Sequence, residues 1–209
     1  MNTVWNNAQE WEAEWHGNCI NSLNEELKQL VYAEKMGLIT NPNSKTPYNF
    51  NLNNISVLDI GGGAYSLLLK CTNFKSSVVA DPLAEKYPAW VKYRYKNLDI
   101  MLLEIPGEAL NTWEFSQVFD EVWIYNVLEH TYDPKRIIEN ALQLSKIVRI
   151  FEWIDTPPNI GHPQTLKEKD LNKWLGGEGK VENINKNGAV GKAYFGVFKG
   201  KHYNANITE

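Results

Sequence analysis

The chain is 209 residues long, enough for one well-packed core with an appended cap and too short for two comfortable domains. Hydrophobic residues make up 43% and charged residues 22%, a globular balance that excludes collagen-like, disulfide-scaffold and disordered classes. The formal charge is −4 and basic clusters such as Lys92 to Lys96 are interrupted by aromatics, so no broad phosphate-tracking surface exists and long nucleic acid is a disfavoured partner.

The two cysteines, Cys19 and Cys71, stand in unrelated contexts. They form neither a framework of bridges nor a Cys-x-x-Cys pair, no metal site is expected, and a reducing cytoplasm fits. Met1-Asn2-Thr3-Val4-Trp5 lacks a basic start followed by an apolar run. No stretch approaches the roughly 18 apolar residues of a bilayer span, so neither export nor membrane insertion is expected.

In chain order, Trp5, Trp11 and Trp15 set an aromatic face on a segment that has to fold over something. The rings are read either as packing of a cap on the core, as a lid over cofactor or acceptor, or as the surface of a homodimer. Trp15-His16-Gly17-Asn18-Cys19 reads as a break between two helical stretches. Ser22 with Glu25 forms a capping-box pattern, and Leu23, Leu27, Leu30 and Val31 recur at helical spacing up to Gly37, which predicts a helix over about 22–36. Residues 40–54, rich in asparagine and proline, read as a linker without packed elements. The division is a helical cap and linker, residues 1–50, followed by a main domain, residues 51–209.

In the main domain, Ile55 to Ile60 reads as a buried strand, followed by a glycine turn, a short helix through Leu67-Leu68-Leu69 and a second strand from Ser77 to Ala80. Further strands are predicted at Ile100 to Ile105, Glu121 to Tyr125 and Ile147 to Ile154. Tyr93 and Tyr95 alternate in a way that strand or core packing accounts for. Asp133-Pro134 starts a helix with a capping acid and a proline at the first helical position. Thr165 with Glu168 forms a second capping box before Leu171, Trp174 and Leu175. Asn187-Gly188 and the apolar run from Ala193 to Phe198 predict a closing hairpin. Strands alternating with helices imply an α/β fold with a mostly parallel sheet, finished by antiparallel pairing.

The segment with the most chemistry is Val57-Leu58-Asp59-Ile60-Gly61-Gly62-Gly63, a buried strand that delivers a carboxylate and then a glycine-rich turn where such sheets bind nucleotides. Twenty-two residues after Asp59 the second strand ends at Asp81, placed to accept hydrogen bonds from ribose hydroxyls. Strand, turn, helix, strand and terminal acid together point to nucleoside binding.

These residues resemble the class I S-adenosylmethionine-dependent methyltransferases, and the likeness extends over residues 55–155. The resemblance implies a three-layer Rossmann-like fold with a seven-stranded sheet, a C-terminal antiparallel hairpin and an N-terminal helical cap. Asp59 matches the acid that helps hold the methionine ammonium group, with Gly61, Gly62 and Gly63 beside it; Asp81 and Pro82 match the acid end of the second strand. Pro106-Gly107-Glu108-Ala109 is similar to a Gly-Asp-Ala turn, so Glu108 and Ala109 would meet the adenine amino group. Phe119 to His130 is similar to the fourth-strand signature of the ubiquinone-methyltransferase-like (methyltransferase type 11) branch, where Asn126 would line the methionine side of the cofactor. Tyr65 stands where the family often has a third alternating glycine.

The implied activity is transfer of the methyl group of S-adenosyl-L-methionine by direct in-line displacement, leaving S-adenosyl-L-homocysteine. The acceptor expected is a small molecule, since the chain has little room for a large recognition domain. Such a reaction needs alignment and exclusion of water more than a nucleophilic side chain, and a base only where the acceptor must lose a proton. His162, after the fifth strand in Asn159-Ile160-Gly161-His162-Pro163, is the candidate base, with Asn126 as a second candidate for catalysis. Trp15, His16 and His130 are candidate lid or substrate contacts. Two competitors are weaker: an NAD-dependent oxidoreductase, whose third glycine is Ser66 here, and a DNA amino-methylating enzyme, whose Pro-Pro-aromatic motif is Val127-Leu128 at that place. A binding or adaptor protein that holds the cofactor without transferring its methyl group is a third reading, because fold alone does not decide turnover.

Overall fold

The computed structural model describes residues 3–19, 23–40, 49–115 and 117–203, with side chains from residue 25 onward and for residues 3–14 in the N-terminal part. Nine strands and five α-helices are described: α1 (Thr3–Cys19), α2 (Leu23–Lys35), β1 (Phe50–Asn51), β2 (Ser56–Ile60), β3 (Cys71–Thr72), β4 (Ser76–Ala80), α3 (Ala89–Asn97), β5 (Ile100–Leu103), β6 (Phe119–Tyr125), α4 (Pro134–Leu144), β7 (Ser145–Trp153), α5 (Glu168–Leu175), β8 (Lys180–Lys186) and β9 (Ala189–Lys199). No helix among the described residues is long and apolar enough to cross a membrane.

Seven strands form one sheet in the order β5-β4-β2-β6-β7-β9-β8. The first five run parallel, and β9 pairs antiparallel with both β7 and β8. The chain enters at β2 in the middle, moves outward through β4 and β5, then returns to β6 on the other side. The order therefore reverses between β2 and β6, and the crevice beyond the C-terminal ends of these strands is where a doubly wound sheet binds ligand.

Both faces of the sheet are covered, which explains the unbroken burial of Ser56 to Ile60. On one face Val57, Val79, Trp123 and Phe151 pack with Val31 and Tyr32 of α2 and Val91 and Tyr95 of α3. On the other Leu58, Ile60, Val122, Ile124 and Ile150 pack with Ile137, Ile138 and Ala141 of α4 and Leu171 of α5. Helix α4 starts as its Asp-Pro pair predicts: the Asp133 carboxylate accepts from the Arg136 amide at 3.0 Å, with proline in the first turn. Helix α2 is pinned to the sheet by Arg149, which donates to both oxygens of Glu121 at 2.7 Å and to the Met36 carbonyl at 2.8 Å. The bidentate geometry makes this a stronger tie than the exposed Lys35–Glu182 and Lys186–Glu34 pairs.

Four local expectations are corrected. Helix α1 runs through Trp15 to Cys19, where a break was expected; Ser22, the expected cap of α2, lies outside the described residues. Residues 49–54 are not free of packed structure, because Phe50 and Leu52 are buried and β1 pairs in parallel with β3. Tyr93 and Tyr95 lie in α3 and not in a strand; core packing, the other reading, holds for Tyr95, which is fully buried, and not for Tyr93, which is exposed. Thr165 does not cap α5: its hydroxyl donates to the Thr156 carbonyl at 2.8 Å, and Lys167 occupies the cap position. The segment Leu67–Lys70 is a single 3-10 turn, capped by the Ser66 hydroxyl.

Candidate active site at the reversal of the sheet

The turn after β2 is shaped by what presses against it. Gly61 has φ 69°, a left-handed conformation, and a Cβ there would overlap Val127 Cγ2; a Cβ on Gly62 would run into Asp59 Oδ2. These two glycines let a protein side chain approach, which is the same freedom that close ligand approach requires.

Asp59 is fully buried. Its Oδ2 accepts from Ser66 Oγ at 2.5 Å and from the Tyr125 phenol at 2.7 Å, and that phenol in turn accepts from the Leu67 amide at 2.9 Å. The Tyr95 phenol donates to the Gly63 carbonyl at 2.7 Å and accepts from the Ser66 amide at 3.0 Å. Two phenols from distant elements thus hold the glycine turn from beneath.

Burial pushes the Asp59 carboxyl up to about 7 against the donors Ser66 and Tyr125, which favour its ionised form. An acid whose pKa is higher in the fold gives up its proton first in the unfolded chain. The stability it contributes is therefore complete below about 3.8 and declines as pH rises to about 7. Asp59→Asn, which stays neutral, is expected to flatten that decline by up to about 1.4 kcal/mol per pH unit, read from urea unfolding across the interval. A slope unchanged in the variant would mean that Asp59 does not hold this proton. Burial also raises Glu129 and Glu152, so part of the decline remains in either case.

The crevice encloses a cavity of about 70 Å³, smaller than the roughly 300–1,000 Å³ usual for small-molecule sites. Of the candidate site residues, Gly61, Asp81, Pro82, Glu108, Asn126 and His130 line it, and Asp59, Gly62, Gly63 and Ala109 do not. Asp81 directly follows β4, where Oδ1 accepts from the Leu83 amide at 2.8 Å and Oδ2 from the Gly63 amide at 3.2 Å. Glu108 Oε1 accepts from the amides of Tyr132 and Asp133 at 3.1 and 3.3 Å, and burial raises its pKa. Asn140 locks the Glu108 turn by donating to the Gly107 and Glu108 carbonyls.

Asn126 sits at φ 54° directly after β6, a sparsely populated conformation that surrounding structure must hold. Glu152 supplies the hold: it is fully buried, and its carboxylate accepts from the Val127 and Leu128 amides at 3.1 to 3.2 Å. Burial drives its pKa well above the carboxylate range.

Helix α1 lies across the crevice. Trp5, Gln9 and Glu12 line it from above, and the Trp5 ring meets Tyr132 edge-on at 5.4 Å. Trp11 packs so closely on Gly161 that a Cβ there would overlap its ring. Of the expected cap residues, the side chains of Trp15 and His16 lie outside the described set.

A second pocket of about 280 Å³ adjoins the crevice and shares Glu12, Asn126 and His130 with it. Tyr32, Trp153 and His162 are among its walls. Burial and the neighbouring His130 lower the His162 pKa to about 4, so near neutrality this imidazole is uncharged and a weak proton acceptor. Tyr65 turns away from the crevice, its ring beneath Lys70 and Arg94 at 5.8 and 5.5 Å. Sequence reasoning missed the phenols of Tyr95 and Tyr125, the plug Val127 and the crevice contacts Gln9 and Glu12; Trp5 belongs to the aromatic face read there as packing, lid or dimer surface.

Neither a family model nor a curated protein matches the chain. Solved structures do. The N-methyltransferase NodS of Bradyrhizobium japonicum, in complex with S-adenosylhomocysteine, is 14% identical with TM-score 0.54, over 85% of this chain and 87% of its own. The magnesium protoporphyrin IX methyltransferase of Synechocystis, with bound S-adenosylmethionine, is 13% identical with TM-score 0.51, over 96% and 85%. The [4+2]-cyclase SpnF is 14% identical with TM-score 0.51, over 76% and 57%. The strand order, the crevice at the reversal and these likenesses define the class: the chain has the Rossmann-like fold of class I S-adenosylmethionine-dependent methyltransferases. Identities this low concern the fold, and its chemistry is argued from the site.

Proposed function

We propose that the chain binds S-adenosyl-L-methionine in the crevice and transfers its methyl group to a small molecule held in the adjoining pocket. The observation that carries the reading is the arrangement of Asp81, Glu108 and Asn126 along one crevice that continues past His130 into a second pocket. Asp81 offers a carboxylate to ribose hydroxyls, Glu108 one to an adenine amino group, and Ile60, Leu83 and Ile137 give apolar walls for a base. When bound, the cofactor supplies a methyl group already activated on a sulfonium, so an acceptor lone pair attacks it directly. The work of the chain is alignment and exclusion of water: α1 covers the crevice, and Glu152 fixes Asn126 where the two pockets meet.

The test is incubation of the protein with methyl-labelled S-adenosylmethionine and separated small-molecule and macromolecular fractions of a cell extract. Label is expected in the small-molecule fraction; label confined to macromolecules would overturn the choice of acceptor. A second reading, binding without methyl transfer, is favoured by one observation: SpnF carries this fold and is a [4+2]-cyclase. Tight cofactor binding with no label in either fraction would decide for it.

A further inference from the structure

We propose that Glu129, His130 and His162 form a site for a divalent first-row transition-metal ion, on the wall of the second pocket. One ligand atom from each, a carboxylate oxygen and two imidazole nitrogens, lies within 4.8 Å of the others. Glu129 Oε1 is 3.9 Å from His130 Nε2 and 3.8 Å from His162 Nε2. Donors on a tetrahedral zinc ion at 2.0–2.1 Å stand about 3.3 Å apart, so side-chain shifts of roughly half an ångström would close the two Glu129 distances. Two imidazoles and one carboxylate are the donor set that zinc and iron(II) take with coordination positions left over.

Two independent features support an ion here. The Glu129 side chain is 3% exposed, with imidazole nitrogens of His130 and His162 at 3.9 and 3.8 Å from its Oε1. A carboxylate so buried is ordinarily hydrogen-bonded, paired or bound to metal. His130 is also oriented as a ligand. Its Nδ1 lies 2.8 Å from the Gly161 carbonyl, an acceptor that places the proton on Nδ1, and its Nε2 is the nitrogen 3.9 Å from Glu129 Oε1. Metal-binding histidines are commonly set by such a bond from the other ring nitrogen to a backbone carbonyl or carboxylate. His162 Nδ1 has only a 3.5 Å contact with Asn159 Nδ2, too long to hold its tautomer against a metal.

The cluster departs from the sequence expectation of no metal because Glu129 and His130 are adjacent while His162 arrives from the loop after β7. No short spacing announces it. The remaining coordination positions would face the second pocket beside Asn126 and Trp153, where an acceptor oxygen would bind; that use of the ion rests on the methyltransferase reading, whereas metal binding itself does not.

The proposal is tested by titrating the chelator-treated full chain with Co²⁺, followed by visible absorption, then displacing the ion with Zn²⁺. The expected result is one equivalent of Co²⁺ with ligand-field bands that Zn²⁺ abolishes. In His162→Ala and in the isosteric Glu129→Gln, affinity should fall by at least about 100-fold, more than the loss of a supporting contact costs. Absence of bands in the wild-type chain, or the same bands and affinity in both variants, would overturn the proposal. Calorimetric binding of S-adenosylhomocysteine, measured on each protein, separates the two claims and reports folding. Cofactor binding without cobalt bands removes the metal site alone, and cobalt bands without cofactor binding uphold the metal site and remove the functional reading.

Discussion

Replacing Asp81 with alanine is expected to weaken S-adenosylhomocysteine binding by about 100-fold or more. A hydrogen bond to a charged group contributes about 1.5–3 kcal/mol, and two ribose hydroxyls on one carboxylate double that; about 1.4 kcal/mol is tenfold in affinity. The carboxylate is already aimed, because the amides of Leu83 and Gly63 hold one oxygen each. Alanine also deprives those two amides of their acceptor. Asp81→Asn therefore belongs beside it: the amide keeps one acceptor oxygen and most of the shape, and its affinity should fall between the two. Equal affinity in wild type and Asp81→Ala would remove Asp81 from the cofactor site.

The largest stability effect is expected at Gly61. Alanine there meets two costs: about 1–2 kcal/mol for a Cβ in left-handed backbone, and about 1–3 kcal/mol for forcing Val127 aside. Together these are about 3 kcal/mol, a drop of roughly 10 °C in Tm for a domain of this size. Because the three atoms nearest a Gly61 Cβ all belong to Val127, the two parts separate by a double-mutant cycle. Gly61→Ala/Val127→Ala should recover the steric part, giving a coupling of about 1–3 kcal/mol, while the left-handed cost stays. Strict additivity of the two substitutions would show that the turn and the loop after β6 do not press on one another.

The parallel strands were legible as short, largely apolar runs, and all five begin and end within two residues of the expected positions. Asp133-Pro134 marked α4 for a local reason, a cap and a proline within one turn. Helix α3 was illegible for a physical cause: Trp90 and Tyr93 are exposed aromatics, so the apolar residues do not define one face. The usable signal was Val91 and Tyr95, four apart and both buried.

The same contrast runs through the site. Asp81 and Glu108 sit at or just beyond strand ends, where topology alone brings acids to the crevice. Trp5, Gln9 and Glu12 fall at helical spacing on one face of α1, so the polar pair lies beside the tryptophan already read as part of an aromatic face. The phenols of Tyr95 and Tyr125 reach Ser66 and Asp59 from 29 and 66 positions away. Contacts of that range come from the sheet order and leave no local pattern.

The most direct test of the central claim is calorimetric titration of the wild-type chain with S-adenosylhomocysteine and, separately, with NAD. A single micromolar-class site is expected for the former and no heat of binding for the latter. Binding of NAD without S-adenosylhomocysteine would contradict it and turn the crevice into that of an oxidoreductase.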